Sequence, residues 1–200
     1  MRVSLSRMSL LAVCLPVVAA IAACSQPPAP APAPKSETPV QSPVERGKYL
    51  VTTGLRNDCH TPKKMGPNGP EPDMDLELSG HPEGMVVKAA YTPAKNSPWI
   101  VAGLGSLTAW SGPWGVSFTA NLTPDPNTGL RSGVWTEELF IKALRTGKHM
   151  GTGRDILPPM PWQFIGQYSD ADLKAIWAYL GTIKPIKNHV PDPIPPVTSR

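Results

Sequence analysis

The chain has 200 residues, among them 26 prolines and 17 glycines, and its 19 basic and 15 acidic side chains give a formal net charge of +4. No run of basic residues is interleaved with aromatic ones, so we predict no nucleic-acid partner. The length allows one domain with a hydrophobic core once the terminal segments of unusual composition are set aside.

Residues 1–23 have the pattern of a bacterial export signal. Two arginines precede an apolar run that ends in small residues and is too short for a comfortable membrane span. The sequence Ile21-Ala22-Ala23-Cys24 resembles the lipobox of bacterial lipoproteins, in which the cysteine is acylated and becomes the mature N-terminus. We therefore predict a lipoprotein signal peptide at 1–23 and a lipid anchor at Cys24. The alternative is an ordinary cleavage site beside an incidental cysteine.

Residues 24–43 are rich in proline and alanine and contain almost nothing to bury. Such a segment is typical of a stiff, solvated tether, and at about 3.1 Å per residue it would hold a domain roughly 50 to 60 Å from a membrane. Ser25 stands where an aspartate often retains bacterial lipoproteins in the inner membrane, which slightly favours the outer membrane. The predicted location is therefore periplasm-facing and lipid-anchored.

The remaining chain is predicted to be one mainly α domain at 44–190, followed by a tail at 191–200. In the two later segments, apolar side chains recur at spacings of three and four after a capping residue and an acidic first turn, and Gly147 and Gly181 can end them. These patterns predict three helices: Val44 to about Thr53, the residues between Thr136 and Gly147, and Asp170 to about Leu180 with Ser169 as its cap.

The stretch from 61 to 133 is crowded with proline and glycine and shows no sustained period. It predicts irregular structure, with short strands around Met85–Ala90. A loop region of this length is unusual without something to wrap around. Taken one at a time, large aromatic residues in such a region are most often ordinary core residues. A buried prosthetic group would explain why several occur here, and we expect them to share one core: Trp99, Trp110, Trp114, Phe118 and Trp135.

The segment GLRNDCHTP at 54–62 contains part of a haem-attachment motif. In the c-type motif Cys-X-X-Cys-His, two thiols bond to haem vinyl groups and the histidine ligates iron. Cys59 and His60 occupy the last two positions, whereas Arg56 stands in place of the first cysteine. The other histidines have no ligand-like spacing to Cys59 or to one another, so a zinc site is a poor alternative: His81, His149 and His189.

The order of these segments resembles that of bacterial c-type cytochromes. The segment GLRNDCHTP is followed by a long loop, by LPPMPW at 157–162 and by an amphipathic C-terminal helix. Two further stretches resemble a subgroup of these cytochromes with an enlarged central region: GPWGVSFTANLTPDPNTGL at 112–130 and ALRTGKHMGTGRD at 143–155. The resemblance implies a cytochrome c-like fold with one haem c, for which His60 is the proximal and Met160 the distal iron ligand.

The residues around Met160 support its assignment independently. Pro159 and Pro161 fix the backbone on both sides, which suits a weak thioether ligand. Met150 is the competing candidate, and it is less favoured because Gly151 and Gly153 predict a flexible segment. The alternative for Met160 is an ordinary core methionine.

Arg56 is the departure from the family pattern. Without the first cysteine, Cys59 alone would form one thioether, and haem retention would also rest on the axial ligands and on burial of the porphyrin. An arginine here would pair with a haem propionate or project to solvent. A haem-free descendant and a local error in the deduced sequence are the alternatives.

The resemblance implies a one-haem electron-transfer lipoprotein rather than an enzyme, because a methionine at the sixth iron position leaves no site for a substrate. Its expected partners are periplasmic or membrane dehydrogenases or oxidases. The alternatives are a haem-free lipoprotein on a cytochrome fold, acting as a binding or structural module, and an enzyme with an open haem site, for example a peroxide reductase.

Overall fold

The computed structural model describes residues 41–54, 56–91 and 96–196. The predicted signal peptide, the lipidation site Cys24 and most of the tether lie outside the described residues. No helix in this described part of the chain is both long and apolar enough to cross a membrane.

The three predicted helices are confirmed, each to within one residue. Helix α1 spans Pro43–Thr53, and Ser42 and Glu45 form a reciprocal capping box at its start. The later helices are Glu137–Thr146 and Asp170–Leu180, called α3 and α5 below. Their caps are those that the sequence indicates: Thr136, Gly147, Ser169 and Gly181.

Helices α1 and α5 pack against each other at Gly47. A Cβ atom at this position would overlap the carbonyl oxygen of Ala175 in α5, so only glycine allows this approach. Arg46 Nε donates to Asp172 Oδ1 at 2.8 Å beside the crossing, and this bond lowers the pKa of the Asp172 carboxyl. The buried core around the crossing comprises Leu50, Val51, Leu78, Leu130, Phe140, Leu144, Ile165, Leu173, Ile176, Trp177, Tyr179 and Leu180.

Two shorter helices complete the helical part. Helix α2, Arg56–His60, follows α1 directly, and helix α4, Trp162–Ile165, precedes α5. Single turns of 3-10 helix lie at Met74–Leu76 and His149–Gly151.

The strands are short and lie in the long region between α2 and α3. Strands β1, Lys63–Gly66, and β2, Gly69–Pro72, form a hairpin. Strands β3, Ala102–Gly103, β4, Ala109–Gly112, and β5, Gly115–Phe118, form a second antiparallel sheet in that order.

The prediction of strands around Met85–Ala90 is wrong. These residues pair with no described strand, and Val86 is 74% exposed. The Met85 carbonyl instead lies 2.7 Å from Nε2 of the His81 ring, and this hydrogen bond belongs to no strand ladder. A segment without a neighbouring edge cannot form a ladder, whatever the β propensity of its residues.

The aromatic side chains do not form the expected common core. Trp99 is 72% exposed, Trp135 packs on the edge of the helical core, and Trp110 and Trp114 belong to the second sheet and its hairpin turn. Phe118 packs on the ring of His81, with centroids 4.8 Å apart. The loop region thus contains separate local clusters.

The packed part of the domain extends into the predicted tail. Ile194 and Val116 exchange two backbone hydrogen bonds, at 2.8 and 3.0 Å, beside β5. The chain after residue 190 therefore reaches back to the second sheet. A cytochrome c-like fold stays a prediction.

The contact at Gly47 makes a direct prediction for stability. Gly47→Ala should destabilise the protein by about 1–3 kcal/mol, the usual cost of overpacking, even though alanine favours a helix by about 1 kcal/mol. Gly84→Ala is the matched control, because a Cβ atom there meets nothing within 4 Å. Urea unfolding of both variants measures the difference, and equal free energies of unfolding would contradict the close crossing.

Candidate functional site

Helix α2 presents the degenerate motif on a single turn. Positions 56, 59 and 60 are spaced i, i+3 and i+4, so they share one face of the helix. The helix ends at His60, where Thr61 N donates to Asn57 O at 3.1 Å.

The ring of His60 is oriented by a backbone carbonyl. The residue is 6% exposed, and its Nδ1 lies 2.8 Å from the carbonyl oxygen of Ala120. Because a carbonyl can only accept, Nδ1 carries the hydrogen and Nε2 is the nitrogen with which this histidine would ligate iron. A histidine that binds a metal usually donates its other ring N–H to such a partner.

The carbonyl of Ala120 is brought to His60 through residues 78–81. Gly80 N donates to His60 O at 2.8 Å, and His81 N donates to Thr119 O at 3.0 Å. Gly80 has a φ of +78°, and a Cβ atom there would lie 2.6 Å from the backbone of Ala120. Only glycine meets both requirements, so this residue allows the close approach that places the acceptor.

The surroundings of Cys59 keep it a thiol. The side chain is half-buried, and this burial raises its pKa; the carboxylate of Asp58 raises it further, while Lys63 acts in the opposite direction. Lys63 Nζ pairs with Asp58 Oδ1 at 2.5 Å, although the lysine side chain is only 5% exposed. Cys59 is therefore a protonated, weakly reactive thiol at neutral pH.

Met160 is half-buried at the end of a proline-rich loop. It packs against the hydrophobic core, and Trp162 N donates to its carbonyl at 2.9 Å. A groove of about 420 Å³ runs beside this loop and includes Met160 and Trp162 in its lining. His60 and Cys59 are not part of that lining.

The segment of Met150 makes several hydrogen bonds and an ion pair despite its two glycines. Lys148 and Asp155 form a β-bridge and an ion pair at 2.5 Å, and His149 N donates to Arg154 O at 2.8 Å. The preference for Met160 over Met150 stays a prediction. Met150 has a φ of +53°, an uncommon conformation for a non-glycine residue.

The end of β5 and the residues just after it, 117–120, contact both candidate ligand segments, although no described contact joins His60 to Met160. Ala120 accepts from the His60 ring, and Ser117 Oγ donates to the carbonyl of Pro158, two residues before Met160. Sequence reasoning missed both groups. A backbone carbonyl leaves no mark in the sequence, and Ser117 is one of many serines.

The kinds of donor present match those of a haem site. An imidazole with a fixed tautomer and a proline-flanked thioether are the axial ligands of c-type cytochromes with His/Met coordination. The indole Nε1 of Trp110 is buried without a hydrogen-bond partner among the described residues, and an anionic carboxylate such as a haem propionate would satisfy it. In residues 41–54, 56–91 and 96–196, no group of three or more His, Cys, Asp or Glu could hold a metal ion.

Comparison with known proteins identifies relatives over part of the chain. No family model matches it. It is 37% identical over 136 residues, 68% of its length, to the cytochrome c subunit of gluconate 2-dehydrogenase from Pantoea cypripedii. It is 36% identical over 115 residues, 56% of its length, to the cytochrome c subunit of the quinone alcohol dehydrogenase from Gluconobacter oxydans (strain 621H). It is 32% identical over 99 residues, 49% of its length, to the cytochrome subunit of fructose dehydrogenase from Gluconobacter japonicus.

This chain is similar to cytochrome c subunits of dehydrogenases. The matches cover 22%, 22% and 19% of the three relatives, so the chain spans about a fifth of their length. The similarity supports a c-type cytochrome with an electron-transfer role. It does not extend to the ligands, the number of haems or the anchor.

The buried His81 beside this site predicts a pH dependence of stability. Its Nδ1 lies 3.0 Å from Thr108 Oγ1 and its Nε2 2.7 Å from Met85 O, and burial lowers its pKa from the ordinary value. The unfolded chain therefore binds more protons, so stability should be complete above the ordinary histidine pKa of about 6.5 and fall as the pH drops below it.

Urea unfolding at pH 7.5 and pH 5.5 tests this effect. His81→Gln should have a lower free energy of unfolding than the wild type at pH 7.5. Between pH 7.5 and pH 5.5 it should lose less of that free energy than the wild type does. Protonation of one histidine can account for a difference of at most about 1.4 kcal/mol per pH unit. An equal loss in both proteins would show that another group causes the dependence.

Proposed function

We propose that this chain is a c-type cytochrome that carries one haem and transfers single electrons, with His60 and Met160 as the axial ligands on a cytochrome c-like fold. The similarity to cytochrome subunits of dehydrogenases supports the general role. The observation that carries the site assignment is the 2.8 Å contact from His60 Nδ1 to the Ala120 carbonyl, because it assigns the tautomer that a ligating histidine needs.

Bound haem supplies an iron that changes between two oxidation states by one electron. The protein provides the two ligands and determines their strength. A thioether favours ferrous iron relative to a second imidazole, so Met160 would raise the reduction potential. With the sixth position filled, the domain has no open site for substrate chemistry, and we propose no enzymatic activity of its own.

Attachment would occur through Cys59 alone. Position 59 lies next to His60 on the same turn, so a thiol here can reach one vinyl group of a haem whose iron His60 binds. Arg56 cannot supply a second thioether.

Location and partners follow from the terminal segments and the relatives. Acylation of Cys24 would anchor the protein to a bacterial membrane, with the outer membrane slightly favoured, and the tether would hold the domain on the periplasmic side. The donor or acceptor would be a periplasmic or membrane dehydrogenase or oxidase. Dehydrogenases are favoured because each reported relative is a dehydrogenase subunit.

The second candidate is a haem-free lipoprotein on the same fold, acting as a binding or structural module. The residue that favours it is Arg56, because the assembly machinery normally acts on two cysteines. The two functions are separated by whether purified protein contains haem.

Haem staining after denaturing electrophoresis, with a visible spectrum, tests the attachment. Wild-type protein made with the haem-attachment machinery should retain the stain, and Cys59→Ala should lose it. Arg56→Cys should move the reduced absorption bands to shorter wavelength, because the second vinyl group leaves conjugation. Arg56→Ser is the matched control and should keep the wild-type bands. Wild-type protein without haem, beside a fully loaded Arg56→Cys variant, would support the haem-free function.

Replacement of Met160 tests the distal ligand. Met160→Leu keeps the volume and removes the sulfur, so the haem should remain, the ferrous form should gain carbon monoxide binding, and the reduction potential should fall. Met150→Leu is the control and should leave both properties unchanged. The reverse pattern would move the assignment to Met150.

A further inference from the structure

Residues 117–120 contact both candidate ligand segments. Ser117 Oγ donates to the Pro158 carbonyl at 2.5 Å, and the Ala120 carbonyl accepts from His60 at 2.8 Å. The two residues that make these contacts, Ser117 and Ala120, are three positions apart in sequence, so even an extended chain separates them by at most about 10 Å.

We propose that Ser117 is the positioning residue for Met160. Its hydroxyl fixes the loop at the carbonyl of Pro158, and the backbone from Ser117 to Ala120 sets that loop in register with His60. This inference rests on the proposed function, since it assigns a role to a residue that touches neither the iron nor the haem.

The hydroxyl of Ser117 is itself oriented. Trp114 Nε1 donates to Ser117 Oγ at 3.2 Å, so the oxygen already accepts one bond. The single hydroxyl hydrogen has two possible acceptors, Pro158 O at 2.5 Å and Trp110 O at 3.3 Å. The shorter contact takes the hydrogen, which directs the donor at the loop.

Ile156 N donates to Gly147 O at 2.8 Å at the start of the loop and Met160 packs on the core, but the loop makes few other hydrogen bonds to the rest of the domain. Three of its residues, Pro158, Pro159 and Pro161, have no backbone N–H to donate. Met160 N donates only to Leu157 O within the loop, at 3.3 Å. In the described part of the chain, the bond from Ser117 is the side-chain hydrogen bond that ties this proline-rich stretch to another element.

The strand that carries Ser117 is fixed on both sides. Residues 110 and 117 are partners in the β4–β5 ladder, and Val116 exchanges two hydrogen bonds with Ile194. Ser117 is only 7% exposed. A donor held by a sheet and shielded from water is a precise anchor for a loop that bears a weak ligand.

Ser111 provides a matched control. It lies on β4 of the same sheet, is 8% exposed, and its hydroxyl accepts from Tyr91 N at 2.8 Å instead of contacting the Met160 loop. Ser111→Ala and Ser117→Ala therefore remove the same group from the same sheet, and only the second removes an anchor of the ligand loop.

Carbon monoxide binding and the reduction potential of the haem-loaded protein test the proposal. Ser117→Ala should raise the population with an open sixth position roughly three- to tenfold, the range for one lost hydrogen bond, and should lower the potential. Ser111→Ala should change neither property. Wild-type behaviour of Ser117→Ala, or equal changes in both variants, would overturn the proposal.

A double-mutant comparison separates positioning from general destabilisation. In a Met160→Leu background, Ser117→Ala should cause no further change in carbon monoxide binding or potential, because its effect acts through Met160; an unchanged effect would overturn the proposal. If Ser117→Ala does not fold, Ser117→Cys replaces the hydroxyl by a thiol of similar shape that is a weak donor: increased carbon monoxide binding supports the proposal and wild-type binding overturns it. Wild-type protein without haem would overturn the proposed function as well, whereas a loaded wild type with an inert Ser117→Ala would overturn this inference alone.

Discussion

The contact between α1 and α5 at Gly47 is the constraint on which the site depends. The backbones of the two helices come into contact at Gly47, where the absence of a side chain leaves room for the carbonyl of Ala175. The ion pair between Arg46 and Asp172 lies beside this crossing. Helix α1 leads directly into the motif helix, and the Met160 loop leads through α4 into α5. The crossing therefore holds one end of each candidate ligand segment, while the other ends depend on contacts made by the irregular region.

The irregular region replaces regular secondary structure with specific hydrogen bonds. Gly80 and Ala120 orient His60, and Ser117 holds the loop at Pro158. These bonds come from two segments far apart in sequence, around residue 80 and at 117–120, and they act on two short stretches of chain. The enlarged central region is thus a scaffold for the site, and its many prolines and glycines reflect turns and close approaches at defined positions.

The sequence predicts the helices well because their ends carry local chemical signals. A capping box at Ser42 and a left-handed glycine at Gly147 act within one turn, and periodic apolar residues fix the buried face. The strands have two to four residues, too few to show a clear period, and a strand forms only where a neighbouring edge is present; Met85–Ala90 has none among the described residues, so the expectation there was wrong. His60 and Met160 are visible in the sequence as residue types, whereas the carbonyl of Ala120 is a group that every residue has, and only the fold shows which one is used.

The hydrogen bonds to the His60 ring and to the Met160 loop would matter more for haem retention if one thioether is missing. With two thioethers, covalent attachment keeps the haem near its ligands even when a ligand detaches. With attachment through Cys59 alone, retention and coordination depend more on the axial pair and on the buried porphyrin surface. If haem binds as proposed, the carbonyl at His60 and the hydroxyl at the Met160 loop would each reduce the freedom of one proposed ligand before coordination. Such preorganisation would lower the entropic cost of coordination, and on the proposed function it would compensate in part for Arg56.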